Sequence, residues 1–492
     1  MDIIVIGAGI GGIAVAGRLA RAGHNVTVIE KSKHPGGRTG LIEKDGYRFD
    51  TGPTLFLMPE VFAETYAALG ERMEDHLDLV HLDPTYRAHF HDGASLDLTY
   101  QMPRMREQLD ALEPGAFGQF LKFMAEGYTN YRIGVDRFVG RNFYSLAEYF
   151  DLRNLPLLIK LKALINHAGN TAHYFKDSRL QAAFSFQNMY LGLSPYEAPA
   201  TYSLLQYTEL GDGVWFPLGG MYRPIETLAE IAEGLGVRFE YGLAVSKINV
   251  EGSRATGVTL EDGNVMSAEV VVANADLPYA YSNLLPDDGS AARLARKKYT
   301  SSALMFYWGV KGERSPELLH HNVFLADDEY RASFERIFKD LSLPKNPSFY
   351  VNAPARTDPS FAPDHGDALM VLVPVGHIDE AKPQDWVALR ERARSFVIQR
   401  LEGIGVKDLG KRIVLEETMG PPDYLKKLNL AKGSAFGLSH NFTQIGYLRP
   451  HNRHAIYKNL YFAGASTHPG TGLPIVLLSA KLTAERIQKE LG

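Results

Sequence analysis

Asp2-Ile3-Ile4-Val5-Ile6-Gly7-Ala8-Gly9-Ile10-Gly11-Gly12 decides how this chain folds. Ile3 to Ile6 make an apolar, β-branched run of the kind a parallel sheet buries on both faces, which predicts a strand over 2–6. Gly7, Gly9 and Gly12 follow at once in G-x-G-x-x-G spacing. That spacing permits a tight turn, close approach of a pyrophosphate to backbone N–H groups, and close helix-to-strand packing. A helix from about Ile10 to Ala22 then points its positive end at the phosphates. Gly23-His24 breaks the helix, and Asn25 to Glu30 reads as a second strand. Glu30 stands 18 residues beyond Gly12, where an acidic side chain accepts both ribose hydroxyls of an adenosine and disfavours a 2′-phosphate. A glycine turn alone is a common surface feature; strand, turn, helix, strand and acid in this order specify dinucleotide binding.

The next residues are Lys31-Ser32-Lys33-His34-Pro35-Gly36-Gly37-Arg38. The Gly36-Gly37 pair lets the backbone pass close to a ligand, and Arg38 offers a planar, charged fork to phosphate or ring oxygens; a plain surface turn is the alternative. Continuing into Gly46 to Pro53, the arrangement resembles the large family of FAD-binding amine oxidases, polyene desaturases and Rab GDP-dissociation inhibitors. The resemblance implies an α/β fold, with a Rossmann-like FAD-binding domain, a mixed-sheet substrate domain and a helical membrane-associated subdomain. It implies non-covalent FAD, with Lys31, Gly37, Arg38 and Val245 beside it, and leaves NAD as a minor alternative. No second G-x-G-x-x-G follows a strand, so electrons are expected to pass to an external acceptor, oxygen or a membrane quinone.

Composition narrows the classes. At 492 residues the length suggests about three units of about 150 residues. Lys+Arg of 52 against Asp+Glu of 57 gives a net charge of −5, which disfavours nucleic acid as a partner. The absence of cysteine removes disulfides, thiolate nucleophiles, iron–sulfur ligation and thioether attachment of a flavin. There is no metal-ligand cluster; His320-His321 is a pair whose side chains are expected to diverge in a strand. Asp2 occupies the place of a positive n-region, and no uncharged apolar run reaches about 18 residues. A cytoplasmic protein is expected, peripherally associated with the membrane.

Three units follow: 1–80, 207–275 and 433–492 as a discontinuous FAD-binding domain, 81–206 as a helical, membrane-associated substrate-access region, and 276–432 as a substrate-binding domain. In the second, Leu155 to Ile165 is apolar except for Lys160 and Lys162. It suits either a membrane interface with both lysines snorkelling to headgroups or an ordinary buried helix. Glu148, Asp151 and Arg153 just ahead of it can gate access or take a proton, though an exposed helix face is the plainer account. In the third unit, Ala303 to Val310, Ser348 to Ala353 and Ala368 to Val375 suit either a packed sheet or one wall of a substrate cavity.

The most specific signal is Asn459-Leu460-Tyr461-Phe462-Ala463-Gly464-Ala465-Ser466-Thr467-His468-Pro469-Gly470-Thr471-Gly472-Leu473-Pro474. A strand ending at Gly464, a turn containing Gly470 and Gly472, and a helix from about Leu473 to Glu490 present a positive helix end to whatever lies in the turn. This run resembles, position by position, the signature of bacterial-type phytoene desaturases and dehydrosqualene (diapophytoene) desaturases. Gly52-Pro53-Thr54, Trp215-Phe216-Pro217, Gly433 to Phe436 and Arg449 to Asn452 extend the likeness over the whole chain. Leu55 to Pro59 and Thr467 to Ser479 look nearer the diapophytoene branch.

The resemblance implies desaturation of a long acyclic polyisoprenoid in carotenoid biosynthesis, with hydride passing from an allylic CH₂–CH₂ unit to flavin N5. Thr467 and His468 are the flavin-adjacent candidates. His468 either acts on a proton or holds the turn by a hydrogen bond, the second being favoured. A carotenoid isomerase or terminal-methyl oxygenase, an amine-oxidase-like flavoenzyme and a non-enzymatic prenyl-lipid carrier remain alternatives on the same scaffold.

Overall fold

The computed structural model describes residues 1–151, 154–326 and 330–491. Five parallel strands form the first sheet, in the order Leu460–Phe462, Val270–Ala273, Asp2–Ile6, Asn25–Glu30 and Arg238–Tyr241. The strand that opens the chain therefore lies at its centre. Ile3 and Val5 pack on one face against the helices Ile10–Arg21, Arg223–Gly234 and Leu473–Leu491. Ile4 and Ile6 pack on the other against the three-stranded antiparallel sheet Val245–Glu251, Arg254–Leu260 and Val265–Ser267. Burial on both faces explains why the run is apolar at every position instead of alternating.

A second sheet has seven strands, ordered Ile413–Met419, Ser302–Lys311, Gly366–Val375, Phe349–Asn352, His321–Phe324, Tyr86–His89 and Ser95–Leu98. Phe306, Trp308, Leu369 and Val371 pack on its outer face against the helix Trp386–Gly403. Met305, Tyr307, Met370 and Tyr86 face inward against Phe120, Phe123, Phe184 and Phe186. Tyr307 ties the inner face to the dinucleotide-binding side, its hydroxyl donating to the Thr51 carbonyl at 2.8 Å.

Three expectations are corrected. Residues 86–98, read as the start of the helical stretch 81–206, instead supply the last two strands of this sheet. Leu96 and Leu98 are buried on one side, while Arg87 and Asp97 pair at 2.7 Å on the other, an alternation that suits a strand. The helix expected over 155–165 spans only Leu155–Lys160. Lys162 then adopts a left-handed φ of +50° and turns inward to Glu126 and Asn170, so it does not snorkel. His320 and His321 do not diverge: the strand begins at His321, and the two rings lie 4.4 Å apart between centres. No group of three potential metal ligands occurs among the described residues.

Candidate active site

The opening turn is shaped by backbone contacts that leave no room for side chains. Gly7 takes a φ of +98°, and a methyl group at Gly12 would lie 2.0 Å from the Gly7 carbonyl oxygen. Glu30 is buried at the end of its strand, accepting the Ala8 N–H at 2.8 Å and the Ser32 N–H at 2.8 Å. A carboxylate has about four lone-pair positions, so two such bonds fix it while leaving acceptors for hydroxyl groups. The Leu243 N–H donates to the Glu30 carbonyl at 3.0 Å, which brings buried Val245 toward this end of the sheet. Lys31 is exposed beside Glu30.

The Gly36-Gly37 turn folds back onto the opening turn. Gly36 N–H donates to the Ala8 carbonyl at 2.8 Å, and Gly37, at a φ of +61°, faces the Gly9 α-carbon. Among the described residues, the Arg38 guanidinium meets the Ala435 carbonyl at 3.4 Å and the Asp276 carboxylate at 3.9 Å. It lies deep enough for burial to lower its pKa, against the opposing pull of Asp276. Yet its side chain keeps 30% of its surface open, so the fork faces a cleft with donors to spare.

The carboxyl-terminal turn closes the cleft from the other side. Asn274, just after the strand Val270–Ala273, donates from Nδ2 to the Ala463 carbonyl at 3.0 Å. A methyl at Gly464, whose φ is +118°, would lie 2.9 Å from that Nδ2, and one at Gly11 would lie 2.8 Å from it. Asp276 is buried, accepting the Ser466 hydroxyl and the Ala431 N–H. Arg449, 1% exposed, donates to the carbonyls of Thr467, Ser439, Gln444, Leu438 and Ala465. Burial lowers its pKa to about 10, which still leaves it charged at neutral pH.

The polar atoms of Thr467 and His468 serve the turn. Thr467 donates its hydroxyl to the Pro450 carbonyl at 2.9 Å, and His468 Nε2 donates to the Arg141 carbonyl at 2.9 Å. A carbonyl can only accept, so Nε2 carries a proton. Burial pushes His468 down to about 4, so the ring is neutral near pH 7. His440 Nε2 accepts the Thr471 N–H at 3.1 Å and would lie 2.7 Å from a methyl at Gly470. Gly472, at a φ of +108°, immediately precedes the helix Leu473–Leu491.

Of the charged trio, Glu148 pairs with Arg141, whose carbonyl holds His468, and also accepts the Tyr144 N–H at 2.9 Å. Asp151 is exposed, and Arg153 lies outside the described residues. Asn274, Asp276, His440 and Arg449 were missed as site residues. Asn274 and Asp276 come just after a buried strand, at the same end of the sheet where Glu30 closes its own strand, and that position is a signal in the sequence; nothing local marks His440 or Arg449.

Arg38 lies 3.9 Å from the Asp276 carboxylate, and the charge of Arg449 is felt there too, where two glycine turns and two helix N-termini converge. The surplus positive charge, the exposed face of Arg38 and the side-chain-free turns fit an anionic dinucleotide. Fold and cleft together define an oxidoreductase scaffold of the flavin-binding kind. The chain belongs to the flavin containing amine oxidoreductase family, whose signature matches residues 10–488. It is 48% identical over 489 residues to a zeta-carotene-forming phytoene desaturase of Myxococcus xanthus, covering 99% of this chain and 93% of that one. It is 34% identical to a 4,4'-diapophytoene desaturase (4,4'-diaponeurosporene-forming) of Staphylococcus aureus (strain Newman), covering 100% and 99%. An oxidoreductase from Methanosarcina mazei shares the fold at a TM-score of 0.66 and 18% identity, covering 99% of this chain and 100% of that one. The cofactor is FAD, and with no cysteine in the chain no thioether links it.

Proposed function

We propose that this protein desaturates phytoene in carotenoid biosynthesis. The observation that carries the reading is 48% identity to a phytoene desaturase along 99% of the chain. Identity to the diapophytoene enzyme is 34%, so phytoene replaces the diapophytoene preference read from Leu55 to Pro59 and Thr467 to Ser479.

FAD supplies the hydride acceptor for an allylic CH₂–CH₂ unit. The chain binds and orients it: Gly7, Gly9 and Gly12 admit the pyrophosphate, Glu30 takes the ribose hydroxyls, and Lys31 and Val245 flank the adenosine. Gly37, Arg38, Gly464, Gly470 and Gly472 line the ring end. The fixed charge of Arg38 and the N-terminus of the helix Leu473–Leu491 favour the negative charge that accompanies reduction, the helix end contributing on the order of 1 kcal/mol. Thr467 and His468 keep the turn in shape. The apolar inner face of the seven-stranded sheet, over Phe120, Phe123, Phe184 and Phe186, provides a dry wall for a hydrocarbon. The segments 1–80, 207–275 and 433–492 serve the cofactor, 276–432 serves the substrate, and most of 81–206 serves access.

That access is from a membrane surface. Ile159, Leu164 and Ile165 are 75%, 85% and 50% exposed, beside exposed Leu146 and Phe150 and the outward Lys160. Such a patch suits the headgroup–acyl boundary, and no helix among the described residues is long and apolar enough to cross a bilayer. Oxygen or a membrane quinone reoxidises the flavin.

Co-expression with a phytoene synthase tests the reading: extracts should acquire the absorption of lengthened polyenes. Colourless extracts from cells holding flavin-loaded protein would reject it. A shift in double-bond geometry alone would indicate an isomerase, and an oxygenated end group an oxygenase.

A further inference from the structure

Against the inner face of the seven-stranded sheet a buried polar cluster gathers, made of Glu209, Gln206, Gln187, the Tyr86 and Tyr190 hydroxyls and His321. Glu209 lies on the short helix Leu204–Leu210 and is fully buried. Gln187 Nε2 reaches its other oxygen at 3.3 Å, and Gln206 Nε2 donates to Gln187 Oε1 at 2.8 Å. Tyr86 faces both Glu209 and Tyr190. The His321 ring lies 5.8 Å from that of Tyr86, and its Nδ1 meets the Tyr350 hydroxyl at 2.6 Å. Tyr350 in turn meets Thr54 Oγ1 at 2.8 Å.

Both flanks of this cluster lead to Arg38. Thr54 follows Gly52, where a methyl would lie 2.0 Å from the Arg38 carbonyl oxygen. Tyr190 precedes Gly192, which packs against Phe436, and neighbouring Ala435 takes the Arg38 guanidinium. An ionisable carboxyl buried with no cation beside it is costly to keep, and such groups gather at functional sites. A carboxyl met, among the described residues, only by the uncharged Tyr86, Tyr190, Gln187 and Gln206, in a wall otherwise fit for a hydrocarbon, marks a place that handles something polar.

We propose that Glu209, in contact with Tyr86, accepts the proton that leaves carbon in each desaturation. The assignment rests on the desaturase reading above. In each step one hydrogen leaves carbon with both electrons of its bond, to the flavin. The electron pair of the neighbouring C–H bond becomes the new π bond. Its proton passes to the Glu209 carboxylate, directly or by way of a tyrosine hydroxyl that hands on its own, and the resulting neutral acid loses it to water before the next cycle.

Burial pushes the Glu209 carboxyl up to about 8, opposed by its hydrogen bonding to Tyr86 and Gln187. Its neighbours Tyr86, Tyr190, Gln187 and Gln206 are all uncharged. A base with a pKa near the working pH combines strength with availability, and its ionised form stabilises positive charge developing on the allylic carbon.

The test compares the flavin-loaded full chain with Glu209→Gln and Glu209→Asp, on phytoene in phospholipid vesicles. The native rate should rise with pH toward about 8 and then level off. Glu209→Gln should lower kcat by about 100-fold or more and lose that rise, while Glu209→Asp should restore most activity with a displaced midpoint. An infrared titration without substrate gives a readout independent of turnover: a protonated-carboxyl band should vanish with a midpoint near 8 and be missing from Glu209→Gln. Native kcat and pH profile in Glu209→Gln, or identical infrared titrations, would overturn the proposal. If Glu209→Gln does not fold, an Asp variant with native midpoint and band overturns it equally. An inactive native protein would instead remove the desaturase reading, whereas an active native protein with an equally active Gln variant removes only the role of Glu209.

Discussion

Asn274 Nδ2 donates to the Ala463 carbonyl at 3.0 Å, joining two neighbouring parallel strands at the edge where the first and last glycine turns of the chain meet. Gly9, Gly11, Gly12 and Gly464 all crowd this one side chain. Asn274→Leu leaves the carbonyl unpaired and forces branched methyls among those glycines, at a cost of about 1–3 kcal/mol. At 1.4 kcal/mol per tenfold, flavin retention should weaken by about 10- to 100-fold. The flavin-to-protein ratio after gel filtration measures this, and a native ratio would argue against the placement of the cofactor.

Gly12→Ala and Gly23→Ala separate crowding from backbone strain. A methyl at Gly12 would meet the Gly7 carbonyl oxygen at 2.0 Å, whereas Gly23, at a φ of +87°, has nothing within 4 Å of the added atom. Gly23→Ala should cost only the left-handed backbone penalty, about 1–2 kcal/mol, and keep its flavin. Gly12→Ala must displace backbone, and it should lose flavin as well as stability by a larger margin. Thermal unfolding with and without added FAD distinguishes the two, and equal effects would contradict the account.

Stability should fall on both sides of neutrality. Burial holds His89 and His167 down at about 4, so both enter the fold neutral, and stability is lost as pH drops from about 6.5 toward 4. Glu209 behaves oppositely. Its folded pKa is raised to about 8, so the folded state binds the extra proton, and stability is fully present below about 4.5 and lost as pH rises through 8. Asp50, raised to about 6 by burial despite accepting the Met221 and Tyr222 N–H groups, completes its own loss by neutrality. Between about pH 6.5 and 9 the decline therefore belongs to Glu209, on the order of 2 kcal/mol, because the loss stops once pH passes its folded pKa of about 8. Denaturant titrations at about pH 6.5 and 9 measure it, and Glu209→Gln should abolish it; an unchanged slope in that variant would contradict the placement.

Replacing Ile159, Leu164 and Ile165 together by glutamate should reduce sedimentation with phospholipid vesicles by about 10-fold or more, since each loses its apolar burial in the interface. These side chains are 50% to 85% exposed, so unfolding should be unaffected. Undiminished vesicle binding would point to another surface.

The sequence made the first sheet legible because each of its features is local. The run Ile3 to Ile6 is apolar throughout because both faces are covered, and Glu30 ends the next strand where its spacing from Gly12 puts it. The turn from Gly464 to Gly472 and the helix after it were equally plain. What stayed hidden depends on partners distant in the chain. Arg449 is a site residue only because five carbonyls from two loops surround it, and Lys162 turns inward only because Glu126 and Asn170 lie there. Glu209, one carboxylate in an aromatic stretch, shows nothing of its isolation until Tyr86, Tyr190 and Gln187 are folded around it. The strands at 86–98 escaped notice because four residues carry too few alternations to outweigh the helical patterns that follow.

The central claim is that a flavin held between the first and last glycine turns takes hydride from phytoene, and one anaerobic mixing experiment tests it most directly. Flavin-loaded protein is combined with phytoene in vesicles, oxygen is excluded, and the oxidised flavin band is followed. The account predicts bleaching of that band, with one new carbon–carbon double bond formed per flavin reduced. A band that persists while phytoene is recovered unchanged would contradict it.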